Sequence, residues 1–175
     1  MGTVRKTAKP SVNVLDLLTE QHQEVDALFE QLEADRGDRA ALFSELADKL
    51  GAHAAIEEKI FYPAVMSAET EEALHESVEE HLAMKRLLAD LITMQLSDDD
   101  FKAKLSVLQE IVSHHAHEEE EASLFKQLRA SMDADVLGAL GNECLALFEE
   151  LMQTHPAKLI PAQTKQAAPL PPVQK

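Results

Sequence analysis

Two pairs of a histidine and a glutamate, each four residues apart, are the residues of this sequence best suited to chemistry: His53 with Glu57, and His117 with Glu121. On a helix this spacing puts both side chains on one face, one turn apart. The same face otherwise carries Leu, Ile, Val and Phe, where an ionised carboxylate without a partner is costly to bury. A metal ion would remove that cost, because imidazole nitrogens and carboxylate oxygens are both metal ligands. The two pairs therefore predict a metal site.

Two further histidines, His22 and His81, lie on apolar helix faces ahead of the first and second pair, respectively. A weak internal repeat relates the two halves, since each half supplies one lone histidine followed by one pair. Six donors exceed the four ligands of a tetrahedral zinc site, and nitrogen and oxygen donors suit iron. The set therefore predicts two metal ions. If the histidines divide equally and both glutamates bridge, each ion keeps a vacant position for a small molecule.

Composition and periodicity predict an all-α protein whose helices position these residues. The chain has 175 residues, enough for one domain, with only 5 glycines and 4% aromatic residues. Predicted helices cover 12–33, the stretch from about 39 to 66, 70 to about 97, 101–131 and 134–153. Short connections favour an up-down-up-down four-helix bundle built from the first four helices. The fifth helix is an extra C-terminal helix with an apolar face for packing.

The two ends of the chain differ in composition from the predicted bundle. We expect residues 12–153 to form the helical domain and residues 1–11 to be a flexible N-terminus. Five of the seven prolines fall between Pro156 and Lys175 without periodicity, which predicts a disordered, Pro-rich tail. Within it, Pro169-Leu-Pro-Pro172 fits a PxxP pattern, so weak protein docking through the tail is one possible role.

Charge argues against several classes of partner. The formal net charge is −16, from 32 acidic and 16 basic residues, which disfavours nucleic acid and anionic membrane surfaces. No apolar run is long enough to cross a bilayer. The single cysteine, Cys144, lies on an apolar stripe and is predicted to be a buried structural thiol. A cytoplasmic location is expected, because one cysteine fits a reducing compartment.

The register of the fourth helix is ambiguous, because His114 and His115 also have a glutamate four residues further on. The internal repeat selects the pair that begins at His117. His114 is then one turn away on the same face, as an added ligand or as a residue that contacts a ligand. His115 and the run Glu118–Glu120 are predicted to be solvated.

Three weaker features lie near the predicted site. Tyr62 is expected to pack at the surface, reaching the metals only if Pro63 bends its helix inward. Gly51 is costly in mid-helix and hints at a close helix contact or a path for a small molecule. Only Glu72 and His75 have the i,i+3 spacing of ferritin-like di-iron proteins. Because that pair lies away from the apolar face, ferritin-like iron storage is disfavoured.

Taken in order, these motifs resemble the hemerythrin-like, HHE cation-binding domains. The resemblance covers about residues 12–129, including Phe61-Tyr62-Pro63 after the first pair and Leu124-Phe125 after the second. It implies a four-helix bundle that holds a non-haem di-iron centre, with two iron ions joined by an oxo or hydroxo bridge. It implies bridging carboxylates from the second and fourth helices. The metal ligands that it implies are His22, His53, Glu57, His81, His117 and Glu121.

Two departures separate the chain from oxygen-carrying hemerythrins. Those proteins have His-x-x-x-His on the third helix and His-x-x-x-x-Asp on the last, where this chain has Ser77 and Ala122. The set of four histidines and two glutamates is more similar to bacterial di-iron proteins of stress defence and iron handling. We therefore expect binding and turnover of O2, hydrogen peroxide or NO. The alternatives are a sensor or adaptor module without turnover, and a structural bundle with an incidental histidine cluster.

Overall fold

The computed structural model describes residues 12–173, and that part of the chain is helical without any strand. The predicted all-α bundle is confirmed. The predicted flexible residues 1–11 lie outside the described residues. The α-helices are α1 (Val14–Glu33), α2 (Arg39–Ile56), α3 (Tyr62–Val65), α4 (Glu71–Thr93), α5 (Asp99–Ser113), α6 (Phe125–Ser131) and α7 (Ala134–Met152), with a 3₁₀ helix at Pro156–Gln163.

Short polar side chains begin the first two helices. The carboxamide oxygen of Asn13 accepts a hydrogen bond from the Leu15 amide at 2.9 Å. The carboxylate of Asp38 accepts from the amides of Ala40 and Ala41 at 3.0 and 3.2 Å. Each cap satisfies backbone donors that have no partner inside the helix. The caps therefore fix where α1 and α2 start, and with them the register of the histidines that these helices carry.

The bundle has four long helical rods, and two π-helical segments interrupt the second rod, from α2 to α3, and the fourth rod, from α5 to α6. The first spans Glu57–Phe61 between α2 and α3, and the second spans His114–Leu124 between α5 and α6. In the first, the Tyr62 amide donates to the carbonyl of Glu57, five residues back. Pro63 contributes to this widening because it has no N–H for the usual i→i−4 bond. π-Helical segments are rare in proteins as a whole, and those that occur are often found at functional sites.

The apolar core is divided in two, and a buried polar layer lies between its halves. One half joins α1, α2, α4 and α5, with Phe29, Leu46, Leu88 and Phe101 fully enclosed. The other half joins the first turn of α1, α3, the start of α4, α6 and α7, and it includes Cys144, which is buried as predicted. Between them are histidines and glutamates that are less than 9% exposed. A buried layer of this kind needs partners for its charges.

The C-terminal segment differs from the predicted disordered tail. The structure places the 3₁₀ helix Pro156–Gln163 against α2 and α4, with Ile160 only 1% exposed. Asp48, itself 6% exposed, accepts from His155 Nδ1 at 2.9 Å and from the Ala157 amide at 3.1 Å. The carbonyl of Thr164 accepts from Arg86 Nε at 3.1 Å. One buried apolar side chain and these anchors order a segment whose proline content alone indicated disorder.

The last described residues also contact the bundle. Leu170, inside the PxxP pattern, is partly buried against the core half that contains α7. Docking of this motif to a partner would therefore require Leu170 to leave that contact. Among residues 12–173, no helix has the length and apolar character that crossing a membrane requires.

Gly141 is required where α7 crosses the start of α1. A Cβ atom there would lie 1.7 Å from the carbonyl oxygen of Val12 and 2.8 Å from the Val14 nitrogen, so backbone would have to move. We expect Gly141→Ala to lower the free energy of unfolding by about 3 kcal/mol, because overpacking is costly. Urea unfolding of the full chain checks this value.

Gly51→Ala is the matched control for that prediction. Its Cβ would make ordinary contacts of 3.4 to 3.6 Å with Ile160, Pro156 and Ala157. Since Ala favours the helix over Gly, this variant should be unchanged or more stable by up to about 1 kcal/mol. Equal losses in both variants would contradict the packing that we describe. The close approach at Gly51 was one of the two sequence-based explanations for this glycine.

Candidate metal centre

The buried polar layer forms two adjoining groups of possible metal ligands. The first group consists of His22 Nε2, His53 Nε2, a Glu57 oxygen and a Glu120 oxygen, and the second of a Glu57 oxygen, His81 and His115. Within each group the donor atoms lie within 4.8 Å of one another. Glu57 belongs to both groups, and both of its oxygens are fully buried with the side chain 0% exposed. Two adjoining groups of possible metal ligands therefore share one buried carboxylate.

The first group contains buried atoms that have no hydrogen-bond partner. They are His22 Nε2, His53 Nε2, Glu57 Oε1 and Glu120 Oε2. The His22 nitrogen lies 3.2 Å from the Glu120 oxygen, and the His53 nitrogen lies 3.2 Å from the Glu57 oxygen. Buried polar atoms in proteins are normally satisfied. Four convergent orphans therefore point to a cation that would accept all four lone pairs.

The second group brings two imidazole nitrogens face to face. His81 Nε2 lies 3.1 Å from His115 Nε2 and 3.2 Å from Glu57 Oε2. The hydroxyl of Tyr62 lies 3.4 Å from each of those two nitrogens and 3.0 Å from Glu120 Oε1. Glu120 thus reaches toward both groups, as Glu57 does. When both rings carry their proton on Nδ1, both Nε2 atoms are acceptors, and a cation between them would bind both.

All four clustered histidines use their other ring nitrogen for a contact away from the centre. In each case a side-chain oxygen lies close enough to accept a hydrogen bond from Nδ1–H. This fixes the tautomer that leaves Nε2 free as a ligand, a pattern typical of metal-binding histidines. The pairs are His22 with Glu121 at 2.7 Å, His53 with Gln21 at 2.7 Å, His81 with Glu58 at 3.1 Å and His115 with Glu80 at 2.8 Å.

Electrostatics in the metal-free site favour charge on both partners. Burial raises the pKa of Glu57, but His53 and His81 outweigh that effect and hold the pKa well below its usual value. Burial lowers the pKa of His22 and of His81, but the adjoining carboxylates raise both values to about 9. Burial is also the main cause that raises the pKa of Tyr62. Protons on His22 and His81 therefore balance the adjoining carboxylates when no metal is bound.

The π segments explain how the fourth rod presents its ligands. His115 and Glu120 are five residues apart, and the second π segment contains both of them. Its backbone pattern is seen where the Phe125 amide donates to the carbonyl of Glu120. A spacing of five residues brings side chains together on a π-helical turn but not on an α-helical one. The widened turn therefore places both side chains in the bundle interior.

The structure brings together His22, His53, Glu57 and His81, as the sequence predicted, but not His117 and Glu121. His117 is 36% exposed and contacts Asp26 at 2.8 Å instead. Glu121 is 26% exposed, and its Oε1 atom contacts the outer nitrogen of His22 at 2.7 Å and His117 Nδ1 at 3.2 Å. The predicted register is therefore corrected: His115 and Glu120, expected to be solvated, take the interior positions. Two causes combine: the buried face of α5 runs through Leu108 and Val112 toward His115, and the π segment then brings Glu120 to the interior.

Tyr62 was expected at the surface, but it is fully buried in the centre of the second group. The condition stated for the opposite outcome was a distortion at Pro63, and the π segment that precedes α3 supplies it. His114, in contrast, is 51% exposed and contacts Glu118 and Glu119 rather than the buried groups. Together with Glu80 and Glu119 it forms a separate surface group of possible ligands.

A small cavity adjoins the clustered histidines. Its volume is about 20 Å³, and His22, His53, His81 and His115 all line it. Its remaining walls are mainly apolar, with Val25, Leu50, Met84, Ile111 and Val112. A cavity of this size holds about one water-sized molecule. The site therefore combines a metal-binding donor set with room for one small ligand.

Comparison with known proteins agrees with this geometry. Residues 13–128 match the family model described as the hemerythrin HHE cation-binding domain. A solved structure of a hemerythrin HHE cation-binding-domain-containing protein from Mycobacterium kansasii superposes with a TM-score of 0.72, covering 85% of this chain and 92% of that one at 24% identity. This likeness shows the fold.

A relative from Nostoc sp., named DNA nickase, is 29% identical over 147 residues. The match covers 83% of this chain but only 42% of that protein. The given chain therefore spans less than half the length of that relative. On the family match over 13–128 and the His and Glu groups able to hold metal, this chain belongs to the hemerythrin HHE cation-binding domain family.

Proposed function

We propose that this chain is a non-haem di-iron protein that binds and turns over a small oxidant, namely O2, hydrogen peroxide or NO, in stress defence or iron handling. The observation that carries the proposal is the set of four orphaned buried donors beside a second group that shares Glu57. His22 and His53 would hold one ion, and His81 and His115 the other. Glu57 and Glu120 would contact both.

Donor chemistry supports iron and a count of two. Neutral imidazoles and carboxylates suit Fe, whereas a structural zinc prefers four ligands in a closed tetrahedral set. Four imidazoles and two carboxylates are too many for one such ion. Glu57 is shared by two ligand groups, which supports two ions rather than one with six protein ligands. In all four histidines the Nδ1 contact leaves Nε2 available as a ligand, which supports metal binding at both groups.

A pair of iron ions bound here would supply the electrons that O2, peroxide or NO exchanges. The side chains of the protein would orient the small ligand, exclude water from the site and donate a hydrogen bond to the carboxylates. The cavity walls of Val25, Leu50 and Met84 exclude charged molecules and bulk water from the histidines. The Tyr62 hydroxyl, buried and 3.0 Å from Glu120, is the nearest O–H donor to both carboxylates. The volume of about 20 Å³ favours diatomic ligands or peroxide.

Turnover is favoured over reversible carriage and over sensing alone. No fifth histidine stands at the position of Ser77 on α4, whose hydroxyl instead donates to the carbonyl of Ala73 at 2.9 Å. The second ion would therefore have fewer imidazoles than in an oxygen carrier, leaving room for substrate. Sensing without turnover remains the alternative, and the experiment below separates the two. A cytoplasmic location stays part of the proposal.

We propose no nucleic-acid partner for this chain. The Nostoc sp. relative is named DNA nickase, but that name belongs to a protein of which this chain covers less than half. The formal charge of −16 opposes contact with phosphates. Two basic side chains, Lys85 and Lys49, are paired with Glu58 and Glu24 and are not free to bind phosphates. Small oxidants are therefore the proposed ligands.

The test is to measure metal content and oxidant consumption on the full chain produced with ample iron. We expect two irons per chain, and loss of peroxide, O2 or NO when the reduced protein is mixed with each. His114→Ala is the control for the surface group, and it should keep two irons. Two irons without consumption of any oxidant would support the sensor alternative. One zinc, or no metal, would contradict the di-iron proposal.

A further inference from the structure

The outer contacts of the four clustered histidines are chemically unequal. His53 donates to the neutral amide of Gln21, whereas the other three donate to carboxylates. Glu80 and Glu121, two of those carboxylates, are 20% and 26% exposed and face solvent in part. Glu58, the third, is only 11% exposed and pairs with a buried lysine. The histidine that contacts Glu58 is therefore held differently from the rest.

Lys85 is that lysine, and its position is specific. It lies one helical turn after His81 on α4, and its side chain is only 6% exposed. Its ammonium donates to both oxygens of Glu58, at 2.6 and 2.7 Å. The same Oε1 atom of Glu58 accepts from His81 Nδ1 at 3.1 Å. Lysine, glutamate and histidine thus form one chain of hydrogen bonds that ends at a candidate ligand.

The first π segment makes this chain possible. Consecutive residues Glu57 and Glu58 contact the two ring nitrogens of one imidazole, Oε2 of Glu57 at Nε2 and Oε1 of Glu58 at Nδ1. The imidazole is therefore clamped on both sides by one stretch of backbone. A buried ion pair such as that of Lys85 and Glu58 contributes little net stability, because desolvation offsets the attraction. Because stability does not explain this ion pair, its position beside a candidate metal ligand favours a role in the site.

We infer that Lys85 is a positioning residue of the metal centre: through Glu58 it orients His81 and weakens that imidazole as a donor, making the two histidines of the second group unequal. This rests on the proposed function. A carboxylate on Nδ1–H raises the basicity of a ligand imidazole. The ammonium neutralises that carboxylate and withdraws part of the effect. His115, whose partner Glu80 has no such lysine among its hydrogen bonds, stays the stronger donor of its group.

The ion pair also lines a surface cavity, which gives it an environment of its own. That cavity, of about 400 Å³, lies beneath the C-terminal segment, and Glu58, Lys59, Lys85, Gln163 and Lys165 are among its walls. The cavity is separate from the small one beside the histidines. A change at Lys85 therefore reaches the centre only through Glu58 and His81, without altering the space for a substrate.

The test is a redox titration of the iron-loaded full chain, with metal content measured alongside. In Lys85→Met, Glu58 keeps its charge, so the equilibrium constant for iron reduction should fall about tenfold, equivalent to about 59 mV for one electron. In Lys85→Met/Glu58→Gln, a neutral amide replaces the carboxylate and the constant should return to within about threefold of the wild type. Lys85→Arg should rescue the wild-type value.

Lys49→Met is the matched control, since Lys49 also pairs with a glutamate, Glu24 at 2.6 Å, without contacting a clustered histidine. It should leave the potential unchanged. An unchanged potential in Lys85→Met, or a fall in the double variant as large as that in Lys85→Met, would overturn the inference. If Lys85→Met loses iron, restored iron in the double variant supports it and equal loss overturns it. A wild type without iron overturns the proposed function as well.

Discussion

His115→Ala is expected to weaken binding of one of the two irons by about 100-fold or more, while His117→Ala retains both. His115 Nε2 lies in the second ligand group, 3.1 Å from His81 Nε2. Removing an outer contact of a ligand already costs about 10–100-fold in metal affinity, so removing the ligand should cost at least as much. The ring nitrogens of His117 contact Asp26 and Glu121 near the surface and belong to neither buried ligand group. Metal content after dialysis against a weak chelator measures the difference.

Glu120→Ala and Glu121→Ala form a second matched pair for the same question. Glu120 is 0% exposed and its Oε2 is an orphaned buried atom, so its loss should release iron from both positions. Glu121 contacts only the outer nitrogen of His22 within the cluster, so its loss should reduce affinity about 10-fold and keep two irons when iron is in excess. Iron lost from His117→Ala but kept in His115→Ala would restore the register first predicted from the sequence.

The sequence was sufficient for the fold and for the buried position of four of the six predicted ligands. Helix-forming composition, short loops and the periodic apolar faces predicted the bundle, and His22, His53, Glu57 and His81 all reach the buried layer. For each of these four residues, the backbone that precedes it is α-helical. His53 and Glu57 are one turn apart, and Glu57 is the first residue of its π segment. The α-helical periodicity of the sequence therefore predicted the buried positions of these four residues.

The fourth rod could not be placed by α-helical periodicity alone. In α5, Val107 is 45% exposed, whereas Leu108 and Val112 are buried. That buried face leads to His115 and then, through the π segment, to Glu120. The sequence held a signal for it: His115 and Glu120 have the His-x-x-x-x-acid spacing that the last helix of oxygen-carrying hemerythrins uses. Matching the two halves residue by residue hid this extra residue.

Tyr62 and the C-terminal segment were missed for other physical reasons. The inward turn of Tyr62 depends on a backbone widening beside Pro63, which propensity does not reveal. The order of the segment after Pro156 depends on Asp48, more than a hundred residues earlier, which accepts from His155 and Ala157. A long-range anchor of this kind is a tertiary effect. Local composition indicates only which conformation the segment prefers when such long-range contacts are absent.

Removal of the metals is expected to cost the protein much of its stability. An ion that binds only the folded state, at a free concentration 1,000 times its dissociation constant, stabilises by about 4.1 kcal/mol, so two ions contribute roughly 8 kcal/mol. A domain of this size has about 5–15 kcal/mol in all. Urea unfolding with iron present and after chelation measures the difference. Equal midpoints in the two conditions would favour the structural-bundle alternative.

The stability of the metal-free chain should also depend on pH, with a sign opposite to that of metal binding. The pKa values of His22 and His81 are raised from 6.5 to about 9 by the buried carboxylates. A raised pKa means that protonation favours the folded state, so this stabilisation is fully present below about pH 6.5 and is lost as pH rises through 9. Metal binding needs neutral imidazoles and strengthens over the same range. Chelated protein should therefore unfold at lower urea concentration at pH 9 than at pH 6.5. Iron-loaded protein should resist chelation better at pH 9. His22→Gln should flatten the first trend, and a metal-free stability that rises with pH would contradict the charge balance described for the centre.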